Sequence, residues 1–343
     1  MKMHFLGTKL GRKWMNKGFV LGLWAVFTVA SDLYGQSYKN YFVPYSTVGF
    51  GVGTSSYYGD LAAYRRVVGS TFKMIRWNVS GEYTRHFTPR FAARASLTWA
   101  RIAGDDFVMN QNRGKVNNNL FLRNLHFRND IKELAAVGIY KITPDGRSYD
   151  RRSQFGAYVF GGVALFAHNP KARLPVDPQT LEKQRWVALQ PLGTEGQGQV
   201  DGPKLYSLVN VAFPIGFGLR YKVNPKFDIS AELGFRFTNS DYLDDVSQMD
   251  YPDPSTFAEP TGMELSNRAF EVIPARKPKR DRTALLQEYL GLSSSQDPYA
   301  YLQQYPDLIG PRGTKPNRAD AYMTGTIKLI YVLGPSVKCP PLK

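Results

Sequence analysis

Twelve residues from Phe227 to Thr238 alternate without a break. Phe227, Ile229, Ala231, Leu233, Phe235 and Phe237 fall on one side, and Asp228, Ser230, Glu232, Gly234, Arg236 and Thr238 on the other. Successive side chains of an extended strand point to opposite faces, so this stretch predicts one strand with an apolar and a polar face. Soluble strands usually run about five or six residues. A strand of twelve is long enough to cross a bilayer at the tilt of a barrel.

Seven further stretches read the same way: Thr47–Tyr57, Ile75–Phe87, Phe91–Ala103, Asp130–Ile142, Phe155–Ala167, Val209–Lys222 and Ala321–Leu333. In Ile75–Phe87 only Arg85 falls out of phase, near the strand end, where a long side chain reaches the headgroups. Phe155–Ala167 is apolar or glycine on both faces, and Asp130–Ile142 changes phase, which predicts a bulge there. Trp77, Tyr83, Phe87, Phe91, Trp99, Phe235, Phe237 and Tyr331 lie toward strand ends, as an aromatic girdle does.

The connections set the topology. Residues 88–90, 143–154 and 223–226 are short links, while 58–74, 104–129, 168–208 and 239–320 are long, and the two kinds alternate. Outer-membrane barrels have this asymmetry, with tight periplasmic turns and longer outside loops. The expected fold is therefore all-β: an eight-stranded antiparallel transmembrane barrel occupying residues 36–333, with a periplasmic tail over 334–343. A soluble lipocalin-like barrel would instead turn its apolar face inward.

The N-terminus agrees. Lys2, Lys9, Arg12, Lys13 and Lys17 precede an apolar run from Gly18 to Ala30, too short to span a membrane as a helix. This predicts an export signal over residues 1–35, cleaved after Ala30 or Gly35, with Gly35 preferred. A mean hydropathy of −0.34 is too polar for a helical membrane protein. Removing residues 1–35 leaves 39 basic and 27 acidic residues, a net charge of +12. An exported chain rarely meets nucleic acid, so none is expected as a partner. Outer-membrane lipids, anionic lipopolysaccharide and acidic proteins fit better. The single cysteine, Cys339, excludes an intrachain disulfide and a zinc cluster.

An eight-stranded lumen is just wide enough for side chains to fill. Its polar face supplies Arg76, Glu82, Arg94, Arg220, Asp228, Glu232, Arg236 and Lys328. Pairing across the turn at 88–90 puts Arg94 opposite Thr84 and diagonal to Glu82. Charges in a narrow lumen must be paired or hydrated, so these eight are expected to form a salt-bridge plug. Catalysis finds little to work with: past the signal the only histidines are His86, His126 and His168, and neither a G-x-S-x-G nor an H-E-x-x-H motif occurs. The glycines from Gly49 to Gly53 sit inside a strand and open no helix, so no phosphate loop is implied. No enzyme activity, cofactor or metal is expected. Asp241, Asp244, Asp245, Asp250 and Asp253 lack calcium-loop spacing and read as a solvated loop, with Arg276 to Arg280 as counter-charge.

Five segments carry a family resemblance: Ser55–Leu61 (SSYYGDL), Asn124–Asp130 (NLHFRND), Trp186–Gly198 (WVALQPLGTEGQG), Asn239–Ser247 (NSDYLDDVS) and Tyr322–Leu329 (YMTGTIKL). In this order they resemble the PorG family, outer-membrane barrels of the type IX secretion system, which also supports gliding motility in some bacteria. The resemblance runs from about residue 45 to 333. It implies a structural role: tying a periplasmic ring of PorK and PorN to the outer membrane, with no catalytic residues. The long 239–320 segment departs from the usual pattern. A passive OmpA/OmpX-like porin or an adhesion barrel is the alternative. If the ring reading holds, contacts come from the periplasmic turns. Residues 143–154 are the longest, and Arg147, Tyr149, Arg151 and Arg152 are of the types common at binding hot spots.

Overall fold

The computed structural model describes residues 42–334, apart from 63–66, 113–114, 117, 178, 181–184, 200–201, 258, 275–279 and 314–318. The expected signal peptide, Arg276 to Lys279 and the tail containing Lys338 and Cys339 lie outside the described residues.

Eight long strands are present: β1 (Tyr45–Tyr58), β2 (Arg76–His86), β3 (Phe91–Asp105), β4 (His126–Lys141), β5 (Phe155–Ala167), β6 (Val209–Lys222), β7 (Phe227–Thr238) and β8 (Ala321–Leu333). Each pairs antiparallel with the next, and β1 pairs with β8, where Ser46 faces Leu333 and Tyr58 faces Ala321. The sheet is a closed barrel, so every ladder edge is used. β5 to β8 match the expected stretches residue for residue. β4 begins four residues early because its extracellular end continues into the loop layer.

The expected bulge in β4 is absent. Its register is constant against β3 from His126 to Tyr140 and against β5 from Lys132 to Lys141. The apparent change of phase has another cause: Ile131, Ala135, Val137 and Ile139 face inward, while Lys132, Ala136 and Gly138 face outward. A barrel this narrow needs some apolar side chains to fill its lumen, and β4 and β5 supply them.

Elsewhere the apolar face is outside. Leu97 is 65% exposed, Ile327 64% and Leu219 61%. Such a continuous apolar belt suits hydrocarbon, not water. Three aromatic pairs edge the belt beside the short turns: Phe91 with Tyr140, Phe155 with Tyr221, and Phe227 with Tyr331. Trp77 and Trp99 meet edge to face near the opposite rim, their ring centres 5.0 Å apart. Among the described residues no helix is long and apolar enough to cross a membrane.

The long loops are folded. The 168–208 loop contains a hairpin of Lys171–Arg173 with Trp186–Ala188. Short helices follow β1 (α1, Val67–Lys73) and β3 (α2, Asp106–Met109; α3, Leu120–Arg123). Three more lie in the 239–320 segment: α4 (Pro260–Ser266), α5 (Thr283–Leu290) and α6 (Pro298–Gln304). α5 and α6 pack with α2 and α3 around a second apolar cluster of Phe107, Phe121, Leu122, Ala269, Leu286, Leu302 and Ile309. The described part of the 239–320 segment is thus a packed cap element.

Candidate functional site

The lumen is filled in layers, because β1, β2, β3 and β6 to β8 turn their polar face inward. In the middle layer Arg94 lies opposite Thr84 and reaches Glu82 at 3.3 Å, and it also pairs with Glu232. Lys328 bridges the same two carboxylates at 2.5 and 2.6 Å. Tyr158 donates to Glu232 at 2.6 Å, and the Arg94 guanidinium stacks over Phe160, 4.7 Å from its centre. These rings have room because Phe160 faces Gly216 and Tyr158 faces Gly218 across the β5–β6 ladder. A side chain at either glycine would meet the opposing ring at 2.4 Å. Two cations and two carboxylates, all nearly buried, close this level.

Nearer the loops, Arg236 pairs with Glu133 at 3.2 Å, and Tyr322 donates to Glu133 at 2.5 Å. At the periplasmic end Arg220 pairs with Asp145 at 2.6 Å, and Lys141 pairs with the same carboxylate. Arg152 pairs with Asp228 at 2.8 Å, and Tyr45 donates to Asp145 at 2.8 Å. Burial raises the pKa of Asp145, but Arg220 and Lys141 outweigh it and hold the carboxyl well below the usual carboxylate range.

Seven of the eight lumenal residues expected from the sequence therefore lie in these layers. Arg76 does not. It begins β2 at the extracellular rim, six residues and roughly 20 Å from Glu82 along the strand, and its guanidinium donates to the Ile75 carbonyl at 2.6 Å. Lys141, Glu133 and Asp145 were missed. The first two sit on the strand whose phase looked mixed, and Asp145 sits in a turn where no periodicity applies. The inward Lys141 and Glu133, eight residues apart, were the available signal.

The periplasmic turn divides its expected contact residues. Arg147 and Arg151 are exposed and Tyr149 is half-buried, but Arg152 is 4% exposed and belongs to the lumen network. Arg152, expected among the partner contacts, instead points into the barrel, because Asp228 would otherwise be a buried, singly paired charge. The Val43 amide donates to the Arg147 carbonyl at 2.9 Å, so the chain entering β1 braces this turn.

A third network covers the extracellular end. The Tyr57 hydroxyl lies 2.6 Å from Asp244 and 2.9 Å from Asp320. One hydroxyl proton serves two carboxyls, and burial together with the neighbouring Asp60 pushes both well above their ordinary range. Burial also lifts Asp245 to about 7, against the opposing pull of Arg312 and bonds from Thr194 and Tyr206. Arg312 reaches Glu195 at 3.2 Å, Arg123 pairs with Asp106 at 2.7 Å, and Asn129 donates to the Leu243 carbonyl at 2.8 Å. The acidic run after β7 is therefore only in part the solvated loop expected of it: Asp250 and Asp253 are exposed, while Asp244 and Asp245 are not. Asp244 and Asp245 are buried because they bond to groups the barrel rim and loops supply. Among the described residues no group of histidine, cysteine, aspartate or glutamate side chains is arranged to hold a metal ion.

Closed ladder, strand length and apolar belt together define an eight-stranded antiparallel barrel of the outer-membrane type. No family model matches the chain, and no curated protein matches it. Among solved structures, Ail, the attachment invasion locus protein of Yersinia pestis, is 8% identical, with 84% of this chain and 99% of Ail covered and a TM-score of 0.33. The N-terminal barrel domain of Pseudomonas aeruginosa OprF is 9% identical, with 85% and 100% covered and a TM-score of 0.31. Neisserial surface protein A is 7% identical, with 82% and 95% covered and a TM-score of 0.33. The fold assignment rests on the strand ladder, not on these distant likenesses.

Proposed function

We propose that this barrel is exported to the outer membrane and serves there as a structural, non-enzymatic part of a type IX secretion machine, tethering a periplasmic ring of PorK and PorN type. One observation carries the reading. Four of the five segments that resemble the PorG family supply the extracellular network: Tyr57 and Asp60, Asn129, Thr194 and Glu195, and Asp244 and Asp245. The fifth supplies Tyr322 and Lys328 to the lumen. Segments far apart in the chain that meet in one buried unit form a single structural signature, which a scatter of chance matches would not.

The paired lumen and the cap over it leave the periplasmic rim as the surface for a ring partner. Arg147, Tyr149 and Arg151 are its candidate contacts. Toward the outer leaflet, Lys132 on the lipid face and Arg101, stacked over Trp77 and paired with Asp130, suit the phosphates of lipopolysaccharide.

A tagged chain carrying Arg147→Ala, Tyr149→Ala and Arg151→Ala should insert normally and recover far less ring protein from detergent-solubilised membranes. Deletion of the gene should trap secreted cargo in the periplasm. Normal secretion by the deletion strain, with tagged wild-type barrel purifying alone, would sink the proposal.

A further inference from the structure

Between the middle and periplasmic layers of the lumen lies a cavity of about 40 Å³. A single water needs roughly 10–15 Å³ by this measure, so the space holds a few waters or one small ion with a water. Thr47, Thr84 and Thr143 border it, with Ile139 and Ile330 as apolar wall. So do Arg94, Arg220 and His86, which are 6%, 9% and 8% exposed. Arg94 Nε, Arg220 Nε and His86 Nδ1 have no hydrogen-bond partner among the described residues. The two arginine Nε–H groups are donors in every protonation state; buried donors left unmade are costly, and two around one small cavity, beside an unpartnered imidazole nitrogen, call for an occupant.

The charges around it indicate which occupant. The middle layer is balanced, with Arg94 and Lys328 against Glu82 and Glu232. The periplasmic layer is not, with Lys141, Arg152 and Arg220 against Asp145 and Asp228. With His86 counted neutral, one positive charge is left over beside the unpartnered nitrogens. Two carboxylates, Glu82 and Asp228, also line the cavity, but each is held by two cations. Water would satisfy the donors and leave the charge uncompensated. A small anion does both.

We propose that this cavity is a site for one small monovalent anion of halide size, which completes the charge balance of the lumen. The site is independent of any secretion partner.

The test uses the full mature chain purified in detergent. Its melting temperature should rise saturably, by about 3–6 °C, in sodium chloride or bromide relative to sodium gluconate at equal ionic strength. Crystals grown in bromide should show one anomalous peak within reach of Arg94 Nε and Arg220 Nε. Gly156→Ala keeps every charge but sets a methyl 3.3–3.6 Å from the Arg220 guanidinium, covering its edge. The halide increment should vanish in that variant while its stability in gluconate stays near wild type. Equal melting in all three salts, or a cavity holding only water in bromide crystals, would overturn the proposal. The bromide crystals decide it even if the glycine variant folds poorly.

Discussion

Arg152 reaches inward from the periplasmic turn and closes on Asp228 in a two-point contact, Nη2 to Oδ1 at 2.8 Å and Nε to Oδ2 at 3.2 Å. Its Nη2 also bonds the Pro225 carbonyl, so one guanidinium ties the turn after β4 to the turn before β7. Neighbouring arginines in this turn therefore do different work. Arg152→Ala leaves a buried carboxylate with one weaker partner and should cost about 3–5 kcal/mol. Arg151→Ala removes an exposed charge and should shift stability by about 0.5 kcal/mol or less. Thermal unfolding of the two variants in the same detergent distinguishes them, and equal melting temperatures would contradict the inward assignment.

The lumen should not conduct. Ion pairs cross it at three levels, and the folded cap covers its extracellular mouth. Reconstituted wild-type protein in planar bilayers should give no stable current. Large, persistent, ion-selective steps would instead mark a pore and favour the porin reading.

Gly218→Val tests the packing beneath the ion pairs. The added carbon meets the Tyr158 ring at 2.4 Å and forces it off Glu232. Overpacking of this kind costs about 1–3 kcal/mol. Gly81→Val, on the lipid face with no atom in the way, should be tolerated. Heat-modifiable gel mobility reports both, and a ranking in the opposite order would refute the glycine–aromatic fit.

The cap and the periplasmic turn should respond to pH in opposite senses. Asp244, Asp320 and Asp245 have carboxyls raised above the ordinary 3.8 by burial, Asp245 to about 7. The folded cap thus binds protons more tightly than the unfolded chain. This contribution is complete below the unfolded value and is lost as pH rises through the folded ones. Asp145 is depressed, so its contribution is complete above 3.8 and lost as pH falls through its lower folded value. Between pH 5 and about 8.5 the long loops should therefore become easier to cleave by added protease, while the barrel core stays resistant. Asp245→Asn should flatten the change. Loops cut equally at both pH values would count against the buried-carboxyl account.

Strand existence, bounds and facing were legible in residues such as Phe227 to Thr238, because the two-residue period of a strand is a local property of the chain. The Arg94–Glu82 pairing was legible too, since the turn at 88–90 fixes the register of β2 against β3. What depends on distant strands was not legible. Glu133 meets Arg236 from across the lumen, and Asp145 is reached by Arg220 from β6, 75 residues further along the chain. No tight turn ties those positions together, so barrel closure alone sets which charges meet. The sequence by itself determined that this chain would form eight membrane-crossing strands, most of them with one apolar and one polar face. Only the tertiary structure decided that Arg152 belongs to the lumen, that Asp244 is buried against Tyr57 and that Asp245 is buried against Thr194 and Tyr206. Loop residues have no period to read, and their partners are chosen by the surfaces onto which they fold.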